Sequence, residues 1–120
     1  MINKKLDQID FLEGNEGTKI RQIFHPHNTL NGIRFSISHS VLPPGKKSKL
    51  HMMKTAEVYY ILQGRGVLKI DNDVLDVGKD QAIYIAPHSK QTIENTGNED
   101  LKFLCIVDPA WKQSDEIILE

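Results

Sequence analysis

The chain has 120 residues, a formal net charge of −1, and acids and bases interleaved along its length. That fits one domain and offers no basic face for nucleic acid or an anionic membrane. Cys105 is the only cysteine, which rules out an internal disulfide, and no apolar run approaches membrane-spanning length. The opening MINKKLDQIDF lacks the apolar core of a secretory leader; together with the lone thiol this predicts a cytoplasmic protein.

Residues 1–17 are polar, with Gly14 and Gly17 near their end, and read as an N-terminal arm anchored by Phe11 and Leu12. Thr18 to His25 alternates loosely and predicts a first strand, stopped by Pro26. Gly32 to Leu42 is a clearer strand, in which Phe35, Ile37, His39 and Val41 share one face and Arg34, Ser36, Ser38 and Ser40 the other. Taking the apolar face as the inner one places His39 inside. Pro43-Pro44-Gly45 breaks this strand, Lys46 to Met53 is a short polar strand or extended loop, and Ala56 to Leu62 is β-branched and aromatic. Gly64-Arg65-Gly66 is a turn rather than a phosphate loop, because strand signals flank it and no helix start follows. Val67–Ile70 and Val74–Val77 predict a hairpin around Asp71-Asn72-Asp73. Ala82–Ala86, Thr92–Asn95 and Leu101–Val107 follow as strands, punctuated by Pro87, Gly97 and Pro109. Residues 111–120 form a tail, read as a short helix or an added strand. Many short strands at regular spacing predict an all-β sandwich or barrel over residues 18–110.

Gly45, His51, Met53, Glu57 and Gly64 stand at the spacing of the first motif of the cupin superfamily, Gly, His-x-His, Glu and Gly. Gly78, Pro87 and Asn95 resemble its second motif, and the likeness spans roughly residues 32 to 108. The resemblance implies a single-domain double-stranded β-helix, the jelly-roll barrel, and a divalent transition metal (Fe, Mn, Ni, Zn or Cu) inside it. Two of the four ligand positions depart from that pattern: the second His of the first motif is Met53, and the His of the second motif falls on Gln91. Only His51 and Glu57 carry over as ligands.

On an extended strand His51 and Met53 point the same way, and Glu57 reaches the same interior from the next strand. Gln91 offers an amide oxygen to a metal or to a ligand. Met53 is a soft thioether, poor for Fe(II), Mn(II) or Zn(II). His39, placed inward by the alternation, offers itself as the replacement ligand: two imidazoles and one carboxylate suit non-haem Fe(II) and accept Mn, Ni or Zn. Against this stands the plainer reading of His39 as a satisfied core residue, and of His51 and Glu57 as a hydrogen-bonded pair lining an empty barrel.

Tyr59 shares Glu57's face and, with Lys54, is the candidate to act on a substrate; Lys46, Lys47, Lys49 and Lys54 form either a basic rim for an anionic ligand or a solvated surface. Cys105 reads as a buried small hydrophobe. Trp111 reads as sealing a core or a subunit contact, and a homodimer is expected. Two functions follow. One is a metal-dependent isomerase, dioxygenase or decarboxylase acting on a sugar or small acid. The other is a non-catalytic barrel that binds a small sugar or anion.

Overall fold

The computed structural model describes residues 1–120. Eleven strands make up the protein: β1 Leu12–Glu13, β2 Lys19–Phe24, β3 Ser36–Leu42, β4 His51–Met53, β5 Ala56–Gln63, β6 Arg65–Ile70, β7 Asp73–Gly78, β8 Ala82–Ile85, β9 Lys90–Asn95, β10 Leu101–Asp108 and β11 Glu116–Ile118. Apart from two single 3₁₀ turns, Leu6–Gln8 and Gln113–Asp115, there is no helix. The strands form a six-stranded sheet, β1-β2-β3-β10-β5-β8, and a five-stranded sheet, β11-β4-β9-β6-β7. Every strand pair is antiparallel. This is the expected jelly-roll barrel. The tail becomes an added strand, β11 pairing with β4, and the arm contributes β1 to β2.

Alternation in the long strands builds the interior. In β10, Leu101, Phe103, Cys105 and Val107 are buried, and in β5 Glu57, Tyr59 and Ile61 are. Register then sorts these side chains into two ends. Leu101 lies opposite Leu42, and Phe103 pairs with Ile61, at one end; Val107 lies opposite Ser36 and Glu57 at the other. The first end packs dry, with Leu42, Ile61, Leu68, Ile83, Ile85, Ile93, Leu101 and Phe103 in one cluster. The second end is lined by polar groups and is open.

One expectation about faces is inverted. The serines of β3 point inward and His39 points outward: Ser36, Ser38 and Ser40 line the interior cavity and His39 does not. Phe35, on His39's face, is 40% exposed. Assigning the apolar face to the inside assumes a dry interior, but β3 runs along the polar end, where hydroxyls face the cavity. A strand has a period of two, so this single choice reverses every side chain on it. His39 is buried all the same, because β3 is central and Arg21 of β2 and Leu104 of β10 lie beside it.

Asn95 fastens the strand ends. Its side chain is 2% exposed; Nδ2 donates to Leu42 O and Glu99 O, each at 2.8 Å, and Oδ1 accepts from Gly97 N–H at 2.9 Å. Close by, Gly64 adopts φ +86°, and a Cβ there would lie 2.7 Å from Asp100 O, so both conformation and space require glycine. Replacing Asn95 with Ala leaves two carbonyls and one N–H without partners. Urea denaturation of Asn95→Ala should read a loss of roughly 3 kcal/mol. The exposed neighbour Asn98→Ala should lose less than about 1 kcal/mol.

Candidate functional site in the barrel interior

The open end encloses a cavity of about 420 Å³, within the range of small-ligand sites. Its floor is Glu57 and Tyr59 of β5 with Phe103, Cys105 and Val107 of β10; Ser36, Ser38 and Ser40 of β3 form one wall and Ile20 and Gln22 of β2 another. His51 of β4 closes the side opposite, and Glu16, His25, Trp111 and Glu116 stand around the mouth.

A hydrogen-bonded chain crosses the interior. Tyr59 Oη donates to Gln91 Oε1 at 2.7 Å, and Gln91 Nε2 donates to Glu57 Oε1 at 2.9 Å. Gln91 is 1% exposed, and its oxygen and its nitrogen are both engaged. His51 Nδ1 donates to Lys49 O at 2.7 Å, which fixes the ring and leaves Nε2 with no protein partner. At the mouth, His27 N–H donates to His25 Nδ1 at 3.1 Å, so His25 carries its proton on Nε2 and donates to Trp111 O at 2.8 Å. Trp111 N–H in turn donates to Ser36 Oγ at 3.0 Å. Thr18 Oγ1 donates to Glu16 Oε1.

Burial and like charge govern the electrostatics. Burial pushes the Glu57 carboxyl up to about 7, the Gln91 hydrogen bond opposes this, and the nearby Glu16 and Glu116 add to it. Glu116 is also raised to about 7, first by burial and then by Glu16. Burial drives the Tyr59 hydroxyl and the Cys105 thiol upward as well, so neither is a ready nucleophile near neutral pH. None of the 25 residues lining the cavity is a lysine or arginine.

The six candidate site residues divide. His51, Glu57 and Tyr59 line the cavity, and Gln91 bonds two neighbours from behind. His39 lies on the outer face of β3, where burial first, then Lys102 and Arg21, lower its pKa. Lys54 is exposed and outside the cavity, as are Lys46, Lys47 and Lys49. The proposed triad of His39, His51 and Glu57 therefore does not assemble, and the lysines make no basic rim around this cavity. Glu16, Glu116 and the three β3 serines were not singled out from sequence. The Ser-x-Ser-x-Ser repeat was visible but assigned to the wrong face, and no local pattern around Glu16 or Glu116 reveals that the chain ends converge on the mouth.

These side chains do not fit a divalent transition metal. No three His, Cys, Asp or Glu side chains are grouped so as to hold an ion. Met53 is soft, the Gln91 oxygen is taken by Tyr59, and burial favours a protonated Glu57. What the site does supply is a donor and an acceptor: the neutral carboxyl of Glu57 and the unpartnered Nε2 of His51.

A family model described as "Cupin domain" matches residues 38–107. An uncharacterised protein of Methanocaldococcus jannaschii is 39% identical over 121 residues, covering 100% of this chain and 96% of the relative. An oxalate-binding protein of Thermotoga maritima is 36% identical over 67 residues, covering 55% of each chain. Among solved structures, a predicted oxalate decarboxylase from Thermotoga maritima superposes with a TM-score of 0.77 at 24% identity, over 90% of this chain and 99% of that one. The polyketide cyclase RemF of Streptomyces resistomycificus gives 0.78 at 16% identity, over 96% and 89%. At these identities the superpositions speak for the fold alone.

Glu57 also gives the site a pH signature. A carboxyl whose folded pKa is raised stabilises the fold fully below its unfolded value, near 4.5, and loses that contribution as pH rises through about 7. Stability should therefore fall by about 3 kcal/mol between roughly pH 5 and pH 8 on this group's account. Glu57→Gln keeps an acceptor for Gln91 Nε2 and cannot ionise. Urea midpoints of this variant should vary less with pH and exceed the wild type's at the alkaline end; an unchanged pH dependence would count against a buried neutral Glu57.

Proposed function

The chain belongs to the cupin superfamily, and within it we propose that this protein is a non-catalytic small-molecule binding barrel that works without a bound metal. The observation that carries this reading is the chain from Tyr59 through Gln91 to Glu57. It engages both ends of the amide at the position where the family motif has a histidine, and it holds Glu57 in contact with a donor. A carboxylate poised to ligate a metal ion would instead be ionised and free to turn. The cavity size and its mixed wall of hydroxyls, aromatic rings and carboxyls support binding of one small ligand.

The relative named as oxalate-binding makes a small diacid the obvious candidate ligand. The wall argues for a different one: with no lysine or arginine lining it and Glu16, Glu57 and Glu116 present, a dianion would meet like charge and no counter-ion. The metal-enzyme alternative needs a third ligand beside His51 and Glu57, and no side chain on the cavity wall provides one in this arrangement.

Metal analysis by mass spectrometry decides between the two. Protein purified without a histidine tag should carry far less than one equivalent of Fe, Mn, Ni, Cu or Zn, and should take up none tightly when each is added. A near-stoichiometric metal that His51→Ala loses would overturn the proposal and restore the enzyme reading.

A further inference from the structure

The buried side-chain atoms left without a partner at the cavity are acceptors. Glu116 Oε1 and Gln22 Oε1 are buried and receive no hydrogen bond, and both residues line the cavity. His51 is 2% exposed and lines the same cavity, and with Nδ1–H donated to Lys49 O its Nε2 is left without a protein partner. Three acceptors from three strands, β2, β4 and β11, thus have no protein donor. The charge is one-sided in the same sense. Glu13, Glu16, Glu57 and Glu116 belong to the wall, and no lysine or arginine does. The mouth imidazole His25 has both nitrogens engaged in a neutral tautomer, so it does not offset this charge.

We propose that the cavity is a receptor for a small organic ammonium ion, whose nitrogen bonds unpartnered acceptors of the carboxyl-lined wall and whose apolar body rests on Phe103, Val107 and Trp111. An alkylammonium carries three donors and no acceptor, which matches the wall's deficit in both hydrogen bonding and charge. Aromatic faces add to the attraction for a cation. A neutral alcohol satisfies one acceptor and leaves the carboxyls uncompensated; a carboxylate opposes them. This inference rests on reading the barrel as a binding cavity and adds the chemical class of what binds.

The test is isothermal titration calorimetry at about pH 8, above the shifted carboxyl range, with three probes of nearly equal size: 2-phenylethylammonium, 2-phenylethanol and phenylacetate. The ammonium should bind at least about tenfold tighter than the alcohol, and phenylacetate should give no heat of binding. Glu116→Gln should weaken the ammonium by about tenfold, and a circular dichroism spectrum and urea midpoint like the wild type's show that the variant is folded. Equal affinities for ammonium and alcohol, or tighter binding of phenylacetate, would overturn the ammonium assignment while leaving a binding barrel in place. Failure of all three to bind at millimolar concentration would overturn both.

Discussion

Tyr59, Gln91 and Glu57 form the hydrogen-bonded chain on which the interior depends. A glutamine buried to 1% exposure is tolerable only if its oxygen and its nitrogen both find partners. Tyr59 supplies the donor and Glu57 the acceptor. The chain ties β5 to β9, strands of different sheets, through side chains alone. Removing any member leaves the others unpaired in a low-dielectric setting, so the three behave as a unit.

From that constraint the electrostatics of the open end follow. Glu57 cannot be both deeply buried and freely ionised, so its carboxyl titrates near neutrality, and the neighbouring Glu16 and Glu116 share the same shortage of positive charge. The dry end, where Leu42, Ile61, Leu101 and Phe103 pack, carries the stability that lets the open end remain polar. Asn95 belongs to the same division of labour, since it fastens the strand ends at the dry end, where Leu42 lies. Arm and tail complete the mouth: Glu16 precedes β2, while Glu116 begins β11 beside Met53 of β4.

The barrel was legible in the sequence because its signals are local. Prolines and glycines mark the turns, and β5 and β10 are rich in β-branched and aromatic residues. The two motif stretches, with Gly45, His51, Glu57, Gly64, Gly78, Pro87 and Asn95, placed His51 and Glu57 in one interior. His39 was misplaced because alternation states which residues share a face and not which face is inside; the answer lay in the polarity of the cavity, which is a tertiary property. Glu16 and Glu116 were illegible for a similar reason. They are one hundred residues apart in the chain and meet through the pairing of β1 with β2 and β11 with β4 and through the Lys49 N–H that donates to Glu16 O. Gln91 was recognised as a departure from the family pattern, but its role depends on Tyr59, which sequence placed on Glu57's face without indicating a partner.

The central claim is that Glu57 is held as a neutral, hydrogen-bonded acid where a metal-binding cupin would hold a carboxylate ligand. A carbon-13 NMR titration of the glutamate side-chain carboxyls measures this directly, with the Glu57 resonance assigned by its loss in Glu57→Gln. A midpoint near 7 in protein without added metal is the result expected. A Glu57 carboxyl that stays ionised down to the ordinary glutamate range, near 4.5, would contradict the account and return the interior to a site built for a metal ion.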